Sequence, residues 1–439
     1  MVLRDATLEE LGCAAILAFF AMQGSIPFIA PNQALESTHS IASSLTFYGG
    51  ILSQFLVDGG IALLLLRHAT RVFHWLGTMR WAALLALFTV ASTCWSQFPL
   101  LTLRRSLPFA LAALFGLHLA IRFPVHRQLS ILRISMVALA VATVLLVLCF
   151  PRLGLDASAG HHLDWQGVFT QKNACGRVMV LATAVVLADW RLSVSRLSTL
   201  ALFLFLVFMS GSRGAWAIEV VILLLYAWLE LAGRMESRSR MVFFAATASV
   251  TAAVHIFSWY HLPFLLSVMG RDTTFSGRTE IWKQVWRFIL ERPLLGWGYA
   301  AFWRGIEGQS FEVVAAMRFI VFHAHNGFLE IWLELGIVGL TLFVLSYLRA
   351  WCKLWAVLRS GDVRRATWMV FVLVLIVIYD LDENTLLTYN GLFWVLYIAA
   401  LADIELLAVE DRFALRIARA VFRGASISTA TTAPGATAQ

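Results

Sequence analysis

Two histidines, His323 and His325, stand in "FHAHNGFLEIWLELGIVGL" directly ahead of an apolar run long enough to enter a membrane. An imidazole has an unperturbed pKa of about 6.5, so it can accept a proton from a hydroxyl near neutral pH. Asn326, Glu330 and Glu334 follow closely and could orient such a base or bind hydroxyls, although the two glutamates share a helix face and equally suit capping of polar groups in a bundle. A second group of residues is basic: Lys172 and Arg177 in "FTQKNACGR", Arg213 in "GSRG", Arg278 in "SGRTE", and Arg318. Guanidinium groups hold phosphates through paired hydrogen bonds without a metal, so these residues fit an anionic, lipid-linked diphosphate. Their bland alternative is contact with lipid phosphates or snorkelling at the membrane surface.

Two metal readings compete with this one. His323 and His325 form an H-x-H pair that would chelate zinc on an extended backbone, with His161 and His162 as further ligands, but the neighbouring asparagine and apolar surroundings leave the set incomplete. Asp380 and Asp382 in "DLDENT" have a D-x-D spacing that can bind a divalent cation, yet the motif is very short. With so many arginines available, Asp382 or Glu383 is expected to partner an arginine or a substrate hydroxyl instead. No cofactor and no metal are expected.

These side chains must be positioned within an all-α, polytopic membrane protein. The 439 residues are 60% hydrophobic and only 14% charged, with a mean hydropathy of +0.78, more apolar than a soluble domain can bury. Runs suited to crossing lie at 12–30, 47–66, 79–95, 106–121, 131–150, 174–190, 197–210, 214–232, 241–258, 328–348, 366–379 and 391–407. At roughly 20 apolar residues per crossing, this makes about 12 transmembrane helices.

Basic residues then set the orientation. With both termini cytoplasmic, the inner loops carry Arg67, Arg71 and Arg80, then Arg122, Arg127 and Arg133, then Arg191 and Arg196. Arg234, Arg238 and Arg240 follow, then Arg349, Lys353, Arg359, Arg364 and Arg365, and finally Arg412, Arg416, Arg419 and Arg423. This is the positive-inside pattern, and it accounts for the net charge of +8 without any nucleic-acid partner. The five cysteines have no paired spacing, which excludes a disulfide framework. Residues 1–423 read as a single integral membrane domain, and 424–439 as a disordered cytoplasmic tail.

One long outer loop, 258–327, remains. Within it Ile281, Trp282, Val285, Trp286 and Ile289 recur at helical spacing between charged residues, so an amphipathic helix is expected on the outer surface, ended by Pro293, Gly296 and Gly298. It would serve as a lid over a site open to lipid. Arg278 opens this helix; its charge opposes the dipole, but the free N–H groups there suit an anion.

The histidine segment resembles the signature of the bacterial O-antigen ligase and polymerase superfamily, with Gly336 and Gly339 at matching positions. "CWSQFPLLTLRRSL", "FTQKNACGR", "SGSRGAW", "SGRTEIW", "RPLLGWGYAAFW" and "LDENTLLTYNGLFWVL" resemble its ExoQ-like exopolysaccharide-polymerase branch, so the likeness runs roughly from residue 90 to 400. The resemblance implies a GT-C-like, inverting, metal-independent glycosyltransferase of the bacterial inner membrane with its active site facing the periplasm. Its donor would be a glycan on polyprenyl (undecaprenyl) diphosphate, and its acceptor another glycan or lipid A core. Membrane lipids, a chain-length regulator and a flippase are the other partners it implies. His325 would be the base, with Arg213, Arg278, Lys172 and Arg177 on the diphosphate and Asn326, Glu330, His323 and Glu383 orienting or meeting the acceptor.

A transporter or flippase for lipid-linked oligosaccharide is the rival of another class. Asp58 and Glu219 could line a pathway. Such proteins concentrate polar groups at mid-membrane depth and often repeat their halves. Here the polar residues gather towards one face and no repeat is visible, which favours an enzyme.

Overall fold

The computed structural model describes residues 7–24, 41–66, 68, 72, 75–156, 164–250, 278–360 and 362–409. His161 and His162, the ends of the expected spans 12–30 and 241–258, the outer loop before Arg278, and the tail lie outside them. The described residues are helical, with an isolated antiparallel bridge between Leu155 and Trp165. In chain order the helices that matter here are α1 (Leu8–Ala21), α2 (Ile41–Leu66), α3 (Arg80–Ala91), α4 (Pro99–Arg122), α5 (Val125–Cys149), α6 (Lys172–Ala188), α7 (Val194–Met209), α8 (Arg213–Gly233), α9 (Arg278–Glu291), α10 (Ser310–Met317), α11 (Gly327–Ser360), α12 (Val363–Asp380) and α13 (Leu392–Val409).

Six described helices are long and apolar enough to cross a membrane, within α2, α4, α5, α8, α11 and α13, and Arg80–Cys94 and Val194–Met209 are shorter apolar helices. The chain is a multi-pass membrane protein. Its boundaries depart from the apolar runs in places. Among the described residues of the run expected at 12–30, the helix ends at Ala21, and Gln23 and Gly24 take left-handed φ values of 55° and 74° and turn the chain. At its other end α1 starts with a capping box, in which Glu10 N–H donates to Thr7 Oγ1 and Thr7 N–H to the Glu10 carboxylate.

The centre of the bundle is α6, in which every residue from Ala174 to Leu187 is buried. It packs against α5, α7, α8 and α12, and a helix enclosed on all sides has no polar face to keep. That enclosure also buries Arg177, which sits within the first two turns of α6.

Helix α11 is broken near its start, a few residues after the histidine turn. Gly336 has φ 65° and ψ −172°, which interrupts the helical ladder. Residues 293–298 fill the gap: Trp297 and Gly298 N–H groups donate to the carbonyls of Leu333 and Glu334, while Ile337 and Val338 N–H groups donate to those of Pro293 and Leu294. Two carbonyls and two N–H groups at the break therefore find partners, as an apolar surrounding demands. Only a glycine suits position 336, since an added Cβ would lie 2.1 Å from the Leu294 carbonyl oxygen.

The amphipathic α9 forms as its spacing predicts, burying Ile281, Val285, Phe288 and Ile289 against Trp297, Phe302, Val313 and Leu333. Trp286 falls at the edge of this face, half exposed, with its ring edge-on to Trp332. The segment after α9 is tied down by the α3–α4 connection and the first turns of α4. Trp95 Nε1 donates to Leu295 O, Gln97 Nε2 to Ala301 O, Thr102 Oγ1 to Tyr299 O and Arg105 Nη1 to Ala300 O. Thus α9 rests on a small apolar core of its own, beside the start of α11.

Candidate active site

The histidine turn begins where α11 starts. Asn326 caps that helix, its Oδ1 accepting from Leu329 N–H at 3.0 Å, and its Nδ2 reaches Leu381 O at 3.4 Å. Just before the cap, His325 adopts a left-handed φ of 51°, a conformation a non-glycine residue keeps only when its surroundings hold it. The fold back brings the His323 and His325 rings to 4.0 Å between centroids, and His325 N–H donates to His323 Nδ1 at 3.2 Å. Between them Ala324 is buried; its N–H donates to Glu330 Oε2 at 2.7 Å and its carbonyl accepts from Trp282 Nε1 at 2.9 Å. The other Glu330 oxygen accepts from Trp303 Nε1 at 2.6 Å.

Opposite lies an acidic loop shaped by Asp380. This buried carboxylate, at the end of α12, accepts from Thr385 N–H at 2.8 Å, Thr385 Oγ1 at 3.1 Å and Leu386 N–H at 3.3 Å. The chain closes around it and presents Asp382 and Glu383 on the other side. Glu383 is nearly buried; its Oε2 lies 3.6 Å from His325 Nδ1 and 3.8 Å from His323 Nε2. Its Oε1 lies 3.7 Å from Arg278 Nη2, and Arg278 also pairs with Asp382.

Charge follows from these contacts. Burial raises the pKa of Glu383, but the facing His325, the Arg177 charge and His323 outweigh it and hold the carboxyl down at about 2. It is an anion throughout the neutral range. His323 is pushed down to about 4, first by burial and then by His325 beside it, so its ring is neutral there.

The basic residues expected at the site have different partners. Arg177, buried in α6, acts electrostatically on both His323 and Glu383 and lines a narrow cavity with Gln23, Thr385 and Gly391. Arg213 is exposed at the start of α8; the Cβ position of the next residue, Gly214, lies 3.5 Å from an Asp382 oxygen. Lys172 pairs with Asp164 at 2.7 Å, and the Asp164 carboxylate occupies the space a Cβ on Gly211, in the turn before Arg213, would need. Arg318 is exposed at the end of α10 in a left-handed conformation.

Ligand atoms of His323, His325 and Glu383 lie within 4.8 Å of one another and could gather round a small cation. The D-x-D residues do not share such a pocket: Asp380 turns inward onto Thr385 and Asp382 turns out to Arg278. Glu383 is likewise held from its far side by Arg278, an arrangement that suits an ion-paired acid.

Glu334 is buried one turn beyond Glu330. Its carbonyl serves the break in α11. Sequence reasoning missed the clamps on the turn, Trp282 and Trp303, and the inward role of Asp380. Only the position of Trp282, on the same face of α9 as Arg278, hinted at its place.

Residues 198–344, from α7 through the histidine turn into α11, match the family model described as O-Antigen ligase. Over 364 residues the chain is 26% identical to Exopolysaccharide production protein ExoQ of Rhizobium meliloti (strain 1021), covering 80% of this chain and 79% of that protein.

Proposed function

We propose that this chain, a relative in the O-antigen ligase and ExoQ-like superfamily, is an inverting glycosyltransferase of the bacterial inner membrane. It takes a glycan from a polyprenyl diphosphate carrier and joins it to an acceptor hydroxyl on the periplasmic side, polymerising exopolysaccharide repeat units. The observation that carries this reading is one carboxylate, Glu383, shared between His325 on one oxygen and Arg278 on the other.

The chemistry needs a base on one side of the anomeric carbon and a charge sink on the other. His325 faces Glu383 through Nδ1, which leaves Nε2 for the incoming hydroxyl. As the hydroxyl oxygen forms its bond to the anomeric carbon, its proton passes to Nε2 and the bond from that carbon to the diphosphate oxygen breaks with its electron pair. Glu383 stabilises the imidazolium that results. Arg278 and Arg213 hold the departing diphosphate, with Arg177 and Lys172 supporting the positive field behind them. Asn326 and His323 shape the acceptor side, and Glu330 orients the turn. A good leaving group and several guanidiniums make a metal unnecessary, so the reaction proceeds in EDTA.

Polymerase and ligase share this chemistry and differ in the acceptor. Similarity to an exopolysaccharide production protein over most of both chains favours polymerisation, while the O-antigen ligase match over 198–344 supports transfer to lipid A core as the second reading. The test is purified protein with a polyprenyl-diphosphate oligosaccharide in EDTA, with and without lipid A core. A ladder of longer glycans without core supports the polymerase; product only with core supports the ligase. No product in either, from folded protein with its native donor, contradicts the enzyme reading.

A further inference from the structure

The peptide between Ala324 and His325 is tied at both ends. Its carbonyl oxygen accepts from the Trp282 indole at 2.9 Å, and its N–H, belonging to His325, donates to His323 Nδ1 at 3.2 Å. The plane of this peptide fixes the direction from which the His325 side chain leaves the backbone, in a left-handed conformation that local preference does not supply. Trp282 comes from another helix, four residues after Arg278 and therefore on the same face of α9. One helix face thus grips the acidic loop through Arg278 and the histidine turn through Trp282.

We infer that Trp282 is a positioning residue for His325, whose indole N–H sets the ring at its working angle to Glu383 and makes α9 the element that aligns the base with the diphosphate-binding arginine. This deepens the reading of His325 as the base and rests on it. The half-exposed Trp286 on the same helix stacks edge-on with Trp332 and serves as the control.

The experiment compares Trp282→Phe, Trp286→Phe and His325→Ala with wild type, using polyprenyl-diphosphate oligosaccharide as donor over a range of pH. Trp282→Phe keeps an aromatic ring and removes the N–H, and is expected to lower kcat by about 10²-fold while donor KM stays unchanged and the acid limb of the kcat profile moves. Trp286→Phe is expected to match wild type in all three. Replacing Trp282 by β-(3-benzothienyl)alanine, nearly the same shape without the N–H, is expected to reproduce the Phe result, and it decides the matter if the Phe variant does not fold. Wild-type kcat in that isosteric variant, or an equal loss in Trp286→Phe, overturns the inference. Full activity of His325→Ala would instead overturn the base reading beneath it.

Discussion

His325 Nδ1 lies 3.6 Å from Glu383 Oε2, and the other oxygen of that carboxylate lies 3.7 Å from Arg278 Nη2. The proposed base and the proposed anion-binding arginine are therefore linked through one acid that stays ionised down to a pH of about 2. Glu383→Gln preserves volume and removes the charge that steadies the imidazolium. It is expected to lower kcat by about 10²-fold or more with the protein still monodisperse in detergent; an unchanged kcat would remove Glu383 from the mechanism.

Arg278 is also bound by Asp382, which is half exposed on the acidic loop. On the proposed function, a donor diphosphate has to displace that carboxylate to use the guanidinium fully. Asp382→Asn should therefore tighten donor binding, Arg278→Ala should weaken it, and Arg278→Lys should fall between, because it keeps the charge but loses the fork. Donor titration in nanodiscs checks this order, and weaker binding by Asp382→Asn would contradict it.

Acidification should loosen this end of the molecule in two stages. The folded pKa of His323 is lowered from 6.5 to about 4, so the unfolded chain binds a proton that the folded one does not between those values. Stability contributed there is present above pH 6.5 and falls as pH drops to about 4. Glu383, lowered from 4.5 to about 2, adds a second loss across that lower range. His323→Asn should flatten the first stage alone; melting temperatures in detergent between pH 7 and pH 4 that fall equally in both proteins would refute this.

The break in α11 depends on Gly336. A methyl group there would meet the Leu294 carbonyl, and its φ of 65° is unfavourable to any other side chain. Gly336→Ala is expected to cost about 2 kcal/mol or more and to disturb donor turnover, because residues 293–298 and α9 lose their seat together. A melting temperature equal to wild type would show the insertion to be dispensable.

Much of the scaffold was legible in local hydropathy. Runs at 131–150, 214–232 and 391–407 fall within one to six residues of Val125–Cys149, Arg213–Gly233 and Leu392–Val409, and the period of Ile281, Val285 and Ile289 gave the buried face of α9. The run at 328–348 hid its own interruption. Gly336 breaks it only because residues 293–298 arrive to satisfy the freed backbone, and no local pattern records an arrival from elsewhere in the chain.

At the site, His325, Glu383 and Arg278 were recognisable one by one from residue type and motif. Their shared geometry was not, since it depends on contacts between three distant segments. Asp380 looked like half of a cation motif and instead folds the loop. Lys172 stood out as a lone cation, while its partner Asp164 carried no signal of its own.

The role of His325 is tested most directly by transfer with His325→Ala, in EDTA, from a polyprenyl-diphosphate oligosaccharide at saturating donor. The variant is expected to fold and bind donor but to form no glycan ladder, whereas a ladder of wild-type length and rate would show that His325 is not the base.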